Sequence, residues 1–412
     1  MEFETISVMG LGYIGLPTAA AFAARRKKVI GVDVNQHAVD TINRGAIHIV
    51  EPELDMLVQA AVTQGYLRAT TIPEPADAFL IAVPTPFMDG HRPDLTFIEA
   101  ASRAIAPVLK KGDLVVLEST SPVGATAKMA GWMAELRPDL TFPQQAGESS
   151  DVRVAHCPER VLPGHVIREL VENDRVIGGM TRRCSEAASE LYKVFVRGEC
   201  ILTDERTAEM CKLTENSFRD VNIAFANELS LICDRLDINV WELIRLANRH
   251  PRVSILQPGP GVGGHCIAVD PWFIVDSAPD EARLIRTART VNDDKPHWVI
   301  ERVERAATRF KAPVIACLGL AFKANIDDLR ESPAVEIARE LGERFPGQVV
   351  AVEPNVNCLP EQLQGHVELG RLQDALTRAD IVVILVDHAP FKSIDPIRLQ
   401  AKVVIDTRGV LA

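Results

Sequence analysis

"ISVMGLGYIGLPTAAAFAARRKKVIGVDV", residues 6–34, decides the fold. A short β-branched run ends in Gly10-x-Gly12-x-x-Gly15. An alanine-rich helical stretch follows, with Pro17 in its first turn, and then a second apolar strand ends at Asp33. Proline is tolerated in a first helical turn because its missing N–H has no partner there in any case. Glycine permits the tight turn, lets the backbone approach a pyrophosphate, and lets helix pack on strand. The helix N-terminus adds unpaired N–H groups and the positive end of a dipole. Asp33 can accept from both ribose hydroxyls, which favours NAD over NADP. A glycine turn serving packing alone is the competing reading. Strand, turn, helix, strand and acid in that order favour the cofactor.

The rhythm continues in "AFLIAVPTP" (78–86), "DLVVLEST" (113–120), "VRVAHCPE" (152–159) and "RVIGG" (175–179). Apolar runs separated by helical stretches predict a parallel sheet covered on both faces. Ligands then sit beyond the carboxyl ends of the strands, where Thr85, Thr120 and Glu159 fall. Any one of them alone reads as an ordinary loop residue; three at one rim point to a shared cleft.

From about residue 204 the pattern changes to a stretch of some thirty residues without Gly or Pro, predicting a long helix. Asn239 and Glu242 then resemble a capping box for the next helix. On the long helix Glu209, Lys212, Asn216 and Arg219 are spaced three, four and three apart, which puts them on one stripe. A solvated face is the ordinary fate of such residues. Because Leu213, Phe218, Val221, Ile223 and Phe225 fill much of the remaining girth, the helix is expected to be central. The stripe then faces a cleft or a subunit boundary.

The last third returns to α/β: "APVIACLGLAFK" (312–323), "GQVVAVEP" (347–354), "ADIVVILVDH" (379–388) and "KVVIDTRGV" (402–410). Gly319 opens a turn without the full glycine pattern, so this second unit is not expected to hold a dinucleotide in the standard way. Lys323 and Arg330 lie near its first strand end, where cations can meet a phosphate. The expected fold is α/β, with two Rossmann-like doubly wound domains joined by a central helical domain with one long helix. The boundaries are drawn at 1–200 (NAD-binding), 201–305 (central helical) and 306–412 (second Rossmann-like unit).

A chain of 412 residues with 47% apolar and 25% charged residues is typical of a globular protein of two or three domains. A net charge of −11 argues against nucleic acid or a membrane surface as partner. No apolar run reaches membrane-spanning length, and the N-terminal segment reads as a strand rather than a signal peptide. None of the eight cysteines forms a CxxC pair, so neither a disulfide framework nor a metal site is expected, and a cytoplasmic location fits.

One thiol stands apart. Cys266 lies in "PGPGVGGHCIAVDP" (258–271), among glycines and prolines, with His265 before it and Asp270 after it. A thiol beside a hydride acceptor suggests oxidation beyond an alcohol. The thiolate adds to an aldehyde, the adduct loses a second hydride, and water releases a carboxylate from the thioester. Lys212 and Asn216 suit an oxyanion and water clamp, Glu159 suits the base, and Asp270 suits a residue orienting Lys212 or the cysteine loop.

"GLGYIGLP", "VPTP", "EST", "CPERVLPG", "AEMCKLTENSFRDVNIAFANELS", "GVGGHCIAVDP" and "GLAFKANIDDLRESP" together resemble the UDP-sugar 6-dehydrogenase family over essentially the whole chain. The resemblance implies Cys266 as nucleophile and Lys212 as acid/base, with Thr120 among the catalytic group. It implies Arg160, Val161, Asn216, Arg219, Gly263, Lys323 and Arg408 along the substrate. His250 and Arg252 would reach a neighbouring active site in a homodimer built on the long helix. Tyr13, Ile14, Asp33, Thr85, Thr126 and Arg330 would contact NAD. Val269, where UDP-glucose members carry lysine, and His265 resemble the branch acting on N-acetylated sugars. This implies UDP-N-acetyl-D-mannosamine as substrate and enterobacterial common antigen as destination, with the gluco epimer as the alternative. A cysteine hydrolase would need no glycine fingerprint, and a nucleotide-binding regulator would tolerate loss of Cys266.

Overall fold

The opening run forms strand β1 (Thr5–Met9), the glycine turn leads into helix α1 (Gly15–Ala23), and the chain returns as β2 (Lys28–Val32). In the computed structural model, residues 3–49, 51–161, 164–264 and 266–411 are described. His265 lies outside them. Two units divide the chain, Met1–Glu215 and Asn216–Ala412.

The first unit adds β3 (Leu67–Thr70), β4 (Ala78–Ile81), β5 (Leu114–Leu117), β6 (Arg153–His156), β7 (Arg175–Gly179) and β8 (Cys200–Asp204). The sheet order is β8-β7-β6-β5-β4-β1-β2-β3. The chain reverses direction across the sheet between β1 and β4, so the glycine turn opens at the switch point where such folds hold ligands. Both faces are covered, as the apolar strand runs require. Ile6, Val8, Leu80 and Val116 pack with Leu16 and Leu191 on one side, and Met9, Phe79, Ile81 and Val115 with Ile98 and Met129 on the other.

One pairing departs from the expected parallel sheet. β6 and β7 are antiparallel, with Ala155 opposite Gly179 and His156 opposite Gly178. Apolar content does not encode strand direction. The chain leaves β6 and enters β7 at the same end of the sheet, with the helix Val166–Glu172 in the connection.

The second unit carries β9 (Ile315–Leu318), β10 (Val349–Val352), β11 (Glu368–Leu369), β12 (Ile381–Ile384) and β13 (Val403–Asp406) in the order β11-β10-β9-β12-β13. All its pairings are parallel. Its first turn repeats that of the first unit. Gly10 N donates to Val32 O and Gly319 N to Val352 O, each at 2.8 Å, and both glycines have positive φ. Asp33 accepts from Leu11 N at 2.8 Å, and Glu353 accepts from Leu320 N at the same distance.

The long helix spans Glu205–Leu236, 32 residues, and the unit boundary runs through it. Asn239 caps the next helix, Val240–Ala247, by accepting from Trp241 N and Glu242 N. Glu242 turns to Arg245 at 3.5 Å instead of closing a capping box. On one face of this helix Phe218 is 68% and Phe225 53% exposed in the single chain.

Candidate active site

Three glycines build the nucleotide turn in three ways. A Cβ on Gly10 would lie 2.6 Å from Ala82 O, and one on Gly15 would lie 1.8 Å from Gly10 O. Gly12 has nothing within 4 Å of the equivalent point, so its bare backbone faces open space. That space is the cradle a pyrophosphate needs, and Asp33 stands half-buried beside it, accepting from Leu11 N and from Asn35 N at 2.9 Å. These residues fit NAD: the turn presents its backbone and the carboxylate keeps lone pairs for ribose. Tyr13 is 40% exposed and Ile14 half-buried.

At the strand ends, Thr85 Oγ1 donates to Thr120 O at 2.6 Å, joining two residues singled out from sequence. Thr126 is placed differently. It is fully buried, and both its amide and its hydroxyl donate to Glu209 Oε1, at 2.8 and 2.6 Å, while Gly124 N donates to Glu209 Oε2 at 2.6 Å. Its side chain is therefore not displayed to a ligand. Glu209 is correspondingly not part of an open polar stripe: it ties the long helix to the start of the helix Ala125–Leu136.

Glu159 is buried. Its Oε1 accepts from Arg160 N at 2.7 Å, and its Oε2 pairs with Arg175 at 2.9 Å. Arg160 reaches Glu215 at 2.6 Å, and Val161 is half-buried beside it in sequence. Lys212 is half-buried on the long helix, one turn before Asn216.

In the second unit the cysteine turn is glycine-rich for a packing reason. A Cβ on Gly263 would meet Glu331 O at 2.3 Å, on Gly264 the Phe322 ring at 3.1 Å, and on Gly261 the Pro333 side chain at 2.9 Å. The loop is thus pressed against the segment that carries Lys323 and Arg330. Asn227 holds its entry by accepting from Gly259 N at 2.8 Å, and Asn227 itself donates to Asn292 at 2.8 Å. Asn292 and the buried Arg289 converge on Asp220. Sequence reading passed over this network, since its members look like helix-surface polar residues.

Cys266 is exposed, whereas Cys157, Cys184, Cys233 and Cys317 are buried. Burial pushes the thiols of Cys157 and Cys317 up to about 12, so they stay inert. The carbonyl of Cys266 accepts from Asp270 N at 2.9 Å, starting the helix Asp270–Ser277. Asp270 is buried, and its side chain takes the amide of Asn216 at 2.5 Å.

Arg408 is bound to Asp387 at 2.9 Å and approaches Gly259, whose Cβ would lie 2.7 Å from Arg408 Nη1. Lys323 is exposed, and exposed Arg330 forms a two-pronged pair with Asp328 at 2.6 and 2.8 Å. Arg219, His250 and Arg252 are exposed, and His250 Nδ1 accepts from Arg252 N at 3.3 Å.

Comparison with known proteins decides the family. Three domains of the UDP-glucose/GDP-mannose dehydrogenase family match in order: the NAD binding domain over residues 4–196, the central domain over 206–294 and the UDP binding domain over 316–412. The chain belongs to that family. It is an NAD-dependent dehydrogenase with an NAD-binding domain and a UDP-binding domain.

Among its relatives, an NDP-N-acetyl-D-galactosaminuronic acid dehydrogenase of Ralstonia nicotianae is 73% identical over 410 residues, covering 100% of this chain and 97% of that protein. A UDP-N-acetyl-D-mannosamine dehydrogenase of Yersinia pestis is 67% identical over 418 residues, covering 100% of both. The solved UDP-D-ManNAc dehydrogenase of Pyrococcus horikoshii superposes with TM-score 0.88 at 39% identity, covering 99% of this chain and 96% of that one. Among the described residues, no helix of this dehydrogenase is long and apolar enough to cross a membrane.

Proposed function

We propose that this dehydrogenase oxidises carbon six of UDP-N-acetyl-D-mannosamine from alcohol to carboxylate, with Cys266 as the covalent nucleophile. The observation that carries the reading is the placement of Cys266. It is an exposed thiol on a turn fixed by glycine contacts and closed by Asp270, which holds Asn216. NAD supplies the hydride acceptor, and two are used per uronate. Lys212 takes the hydroxyl proton, and with Asn216 it stabilises the oxyanion. The Cys266 thiolate adds to the aldehyde carbon. After the second oxidation a thioester remains on its sulfur. Water then attacks the carbonyl carbon, Glu159 takes its proton, and the thiolate leaves.

Arg160, Val161, Arg219, Gly263, Lys323 and Arg408 line the sugar nucleotide in this reading, with His250 and Arg252 serving the partner's site. The dimer would use a row on the long helix that is exposed in the single chain: Phe218, Phe225, Ile232 and Leu236, at 68, 53, 45 and 61% exposure. In this reading the enzyme is cytoplasmic and its uronate enters surface-polysaccharide assembly, enterobacterial common antigen for the manno epimer.

A second reading, the galacto epimer, is favoured by the 73% identity to the Ralstonia nicotianae protein. Purified protein incubated with NAD and, separately, the manno, galacto and gluco UDP-N-acetylhexosamines decides between them. The account expects two NADH per uronate with the manno substrate. Turnover confined to the galacto substrate replaces it with the second reading.

A further inference from the structure

The surroundings of Glu159 follow from the antiparallel exception in the sheet. Continuing the β6/β7 register beyond His156–Gly178 brings Glu159 opposite Arg175. Their side chains pair at 2.9 Å, with 8% and 4% exposure, as an ion pair; among the described residues Glu159 Oε2 has no aligned hydrogen bond. A parallel β7 would have carried Arg175 to the far end of the sheet. On the other side, β5 runs parallel with Leu117 beside His156, so Glu118 falls beside Cys157.

Residues two apart on a strand share a face. Glu118, Cys157, Glu159 and Arg175 therefore project together, and His156 projects to the opposite face. Tyr192, ending the helix Arg182–Tyr192, closes over them. Its hydroxyl donates to Glu118 Oε1 at 2.7 Å, and the Arg175 guanidinium sits 4.8 Å from its ring centre.

Two buried carboxyls share one buried guanidinium. If both were ionised, one negative charge would stand uncompensated away from water, which is strongly unfavourable. Among the described residues, Glu118 Oε2 has no hydrogen-bond partner to stabilise a second charge.

We propose that Arg175 and Glu118 are positioning residues for Glu159: Arg175 orients its carboxylate, and Glu118 sets how much of the Arg175 charge Glu159 receives. The proposal rests on the reading of Glu159 as base for thioester hydrolysis. Burial pushes the Glu118 carboxyl up to about 7; Arg175 opposes this and Glu159 reinforces it. The other groups facing Glu118 do not change charge there. Burial raises the Cys157 thiol to about 12 and the Tyr192 phenol well above its usual value, and the surrounding acids hold Arg175 protonated against its burial.

When Glu118 ionises it competes for Arg175. The Glu159 carboxylate is then held less firmly, and a misplacement near 1 Å costs on the order of 100-fold. Hydrolysis therefore slows.

The test is single-turnover hydrolysis of the acyl-enzyme, by acid quench between pH 6 and 9, set against the first hydride transfer in the same samples. In the wild type the ratio of hydrolysis to hydride transfer should fall roughly tenfold above pH 7. Glu118→Gln should abolish that break, Tyr192→Phe should move it to higher pH, and Arg175→Lys should lower hydrolysis at least tenfold at all pH values. Tyr192→Phe keeps the ring and serves if either other variant fails to fold. Superimposable profiles for wild type, Glu118→Gln and Tyr192→Phe, or normal hydrolysis in Arg175→Lys, overturn the positioning proposal alone. Normal hydrolysis in Glu159→Gln overturns the base assignment on which it rests.

Discussion

Asn216 gives its side-chain amide to Asp270 across 2.5 Å, and both residues are buried. The bond joins the long helix to the turn that carries Cys266, whose carbonyl starts the helix at Asp270. It turns two residues that sequence treats as separate catalytic aids into one support.

Asp270→Ala leaves the Asn216 amide without its acceptor. The expected cost is about 1–3 kcal/mol of stability, the usual penalty for a buried unsatisfied group. Turnover should fall at least tenfold while NAD affinity changes little. Thermal melts, kcat and NAD titration check this. Equal loss of NAD affinity would mean that the bond supports the nucleotide unit rather than the thiol turn.

The glycines of the first turn should separate by function. Gly15→Ala puts a methyl 1.8 Å from Gly10 O and should destabilise the fold. Gly12→Ala meets no protein atom within 4 Å, so its melting point should stay near wild type while NAD binding weakens at least tenfold. Calorimetry with and without NAD distinguishes them. A Gly12→Ala protein with normal NAD affinity would show that the pyrophosphate lies elsewhere.

Two buried groups should bend the stability–pH curve in opposite directions. Glu118 in the folded chain holds its proton to about 7, against 4.5 when unfolded, because of burial. Across that window the native state binds more protons, so its contribution falls as pH rises, by about 1.4 kcal/mol per pH unit at most. Burial lowers His156 from 6.5 to about 3, so its neutral ring contributes stability above 6.5 that is lost as pH falls. Glu118→Gln should flatten the first limb in denaturant melts at pH 4.5 to 7. His156→Leu should flatten the acid limb and raise stability near neutrality, since neither ring nitrogen has a hydrogen-bond partner among the described residues. Unaltered slopes in both variants would contradict the burial argument.

The nucleotide turn was legible because its chemistry is local: Gly10, Gly12, Gly15 and Asp33 lie within 24 residues and each has a stereochemical reason to be there. The long helix was legible from the absence of breakers. The surroundings of Glu159 were not. Glu118 and Arg175 come together through strand order and one antiparallel pairing, which apolar patterning does not specify. Glu209 misled for a related reason: its spacing matched a cleft-facing stripe, but the clamp on Thr126 depends on a partner 83 residues away. Phe218 and Phe225 were counted as helix girth facing the core but stand exposed in the single chain, because apolar character alone does not say what a residue packs against.

Phe218, Phe225 and Ile232 recur every seven residues along the long helix and stand exposed with Leu236. In the proposed dimer Phe225→Arg places a charge in the middle of this row and should leave a monomer while NAD binding persists. Sedimentation at micromolar concentration reads the mass. An unchanged oligomer would move the interface off this helix.

The most direct test of the covalent account is mass spectrometry of the protein quenched in acid during turnover with NAD and UDP-N-acetyl-D-mannosamine, using Glu159→Gln to slow hydrolysis. The account predicts a uronyl adduct on the peptide containing Cys266, absent from Cys266→Ser. Two NADH per uronate with no adduct at any time point would contradict it.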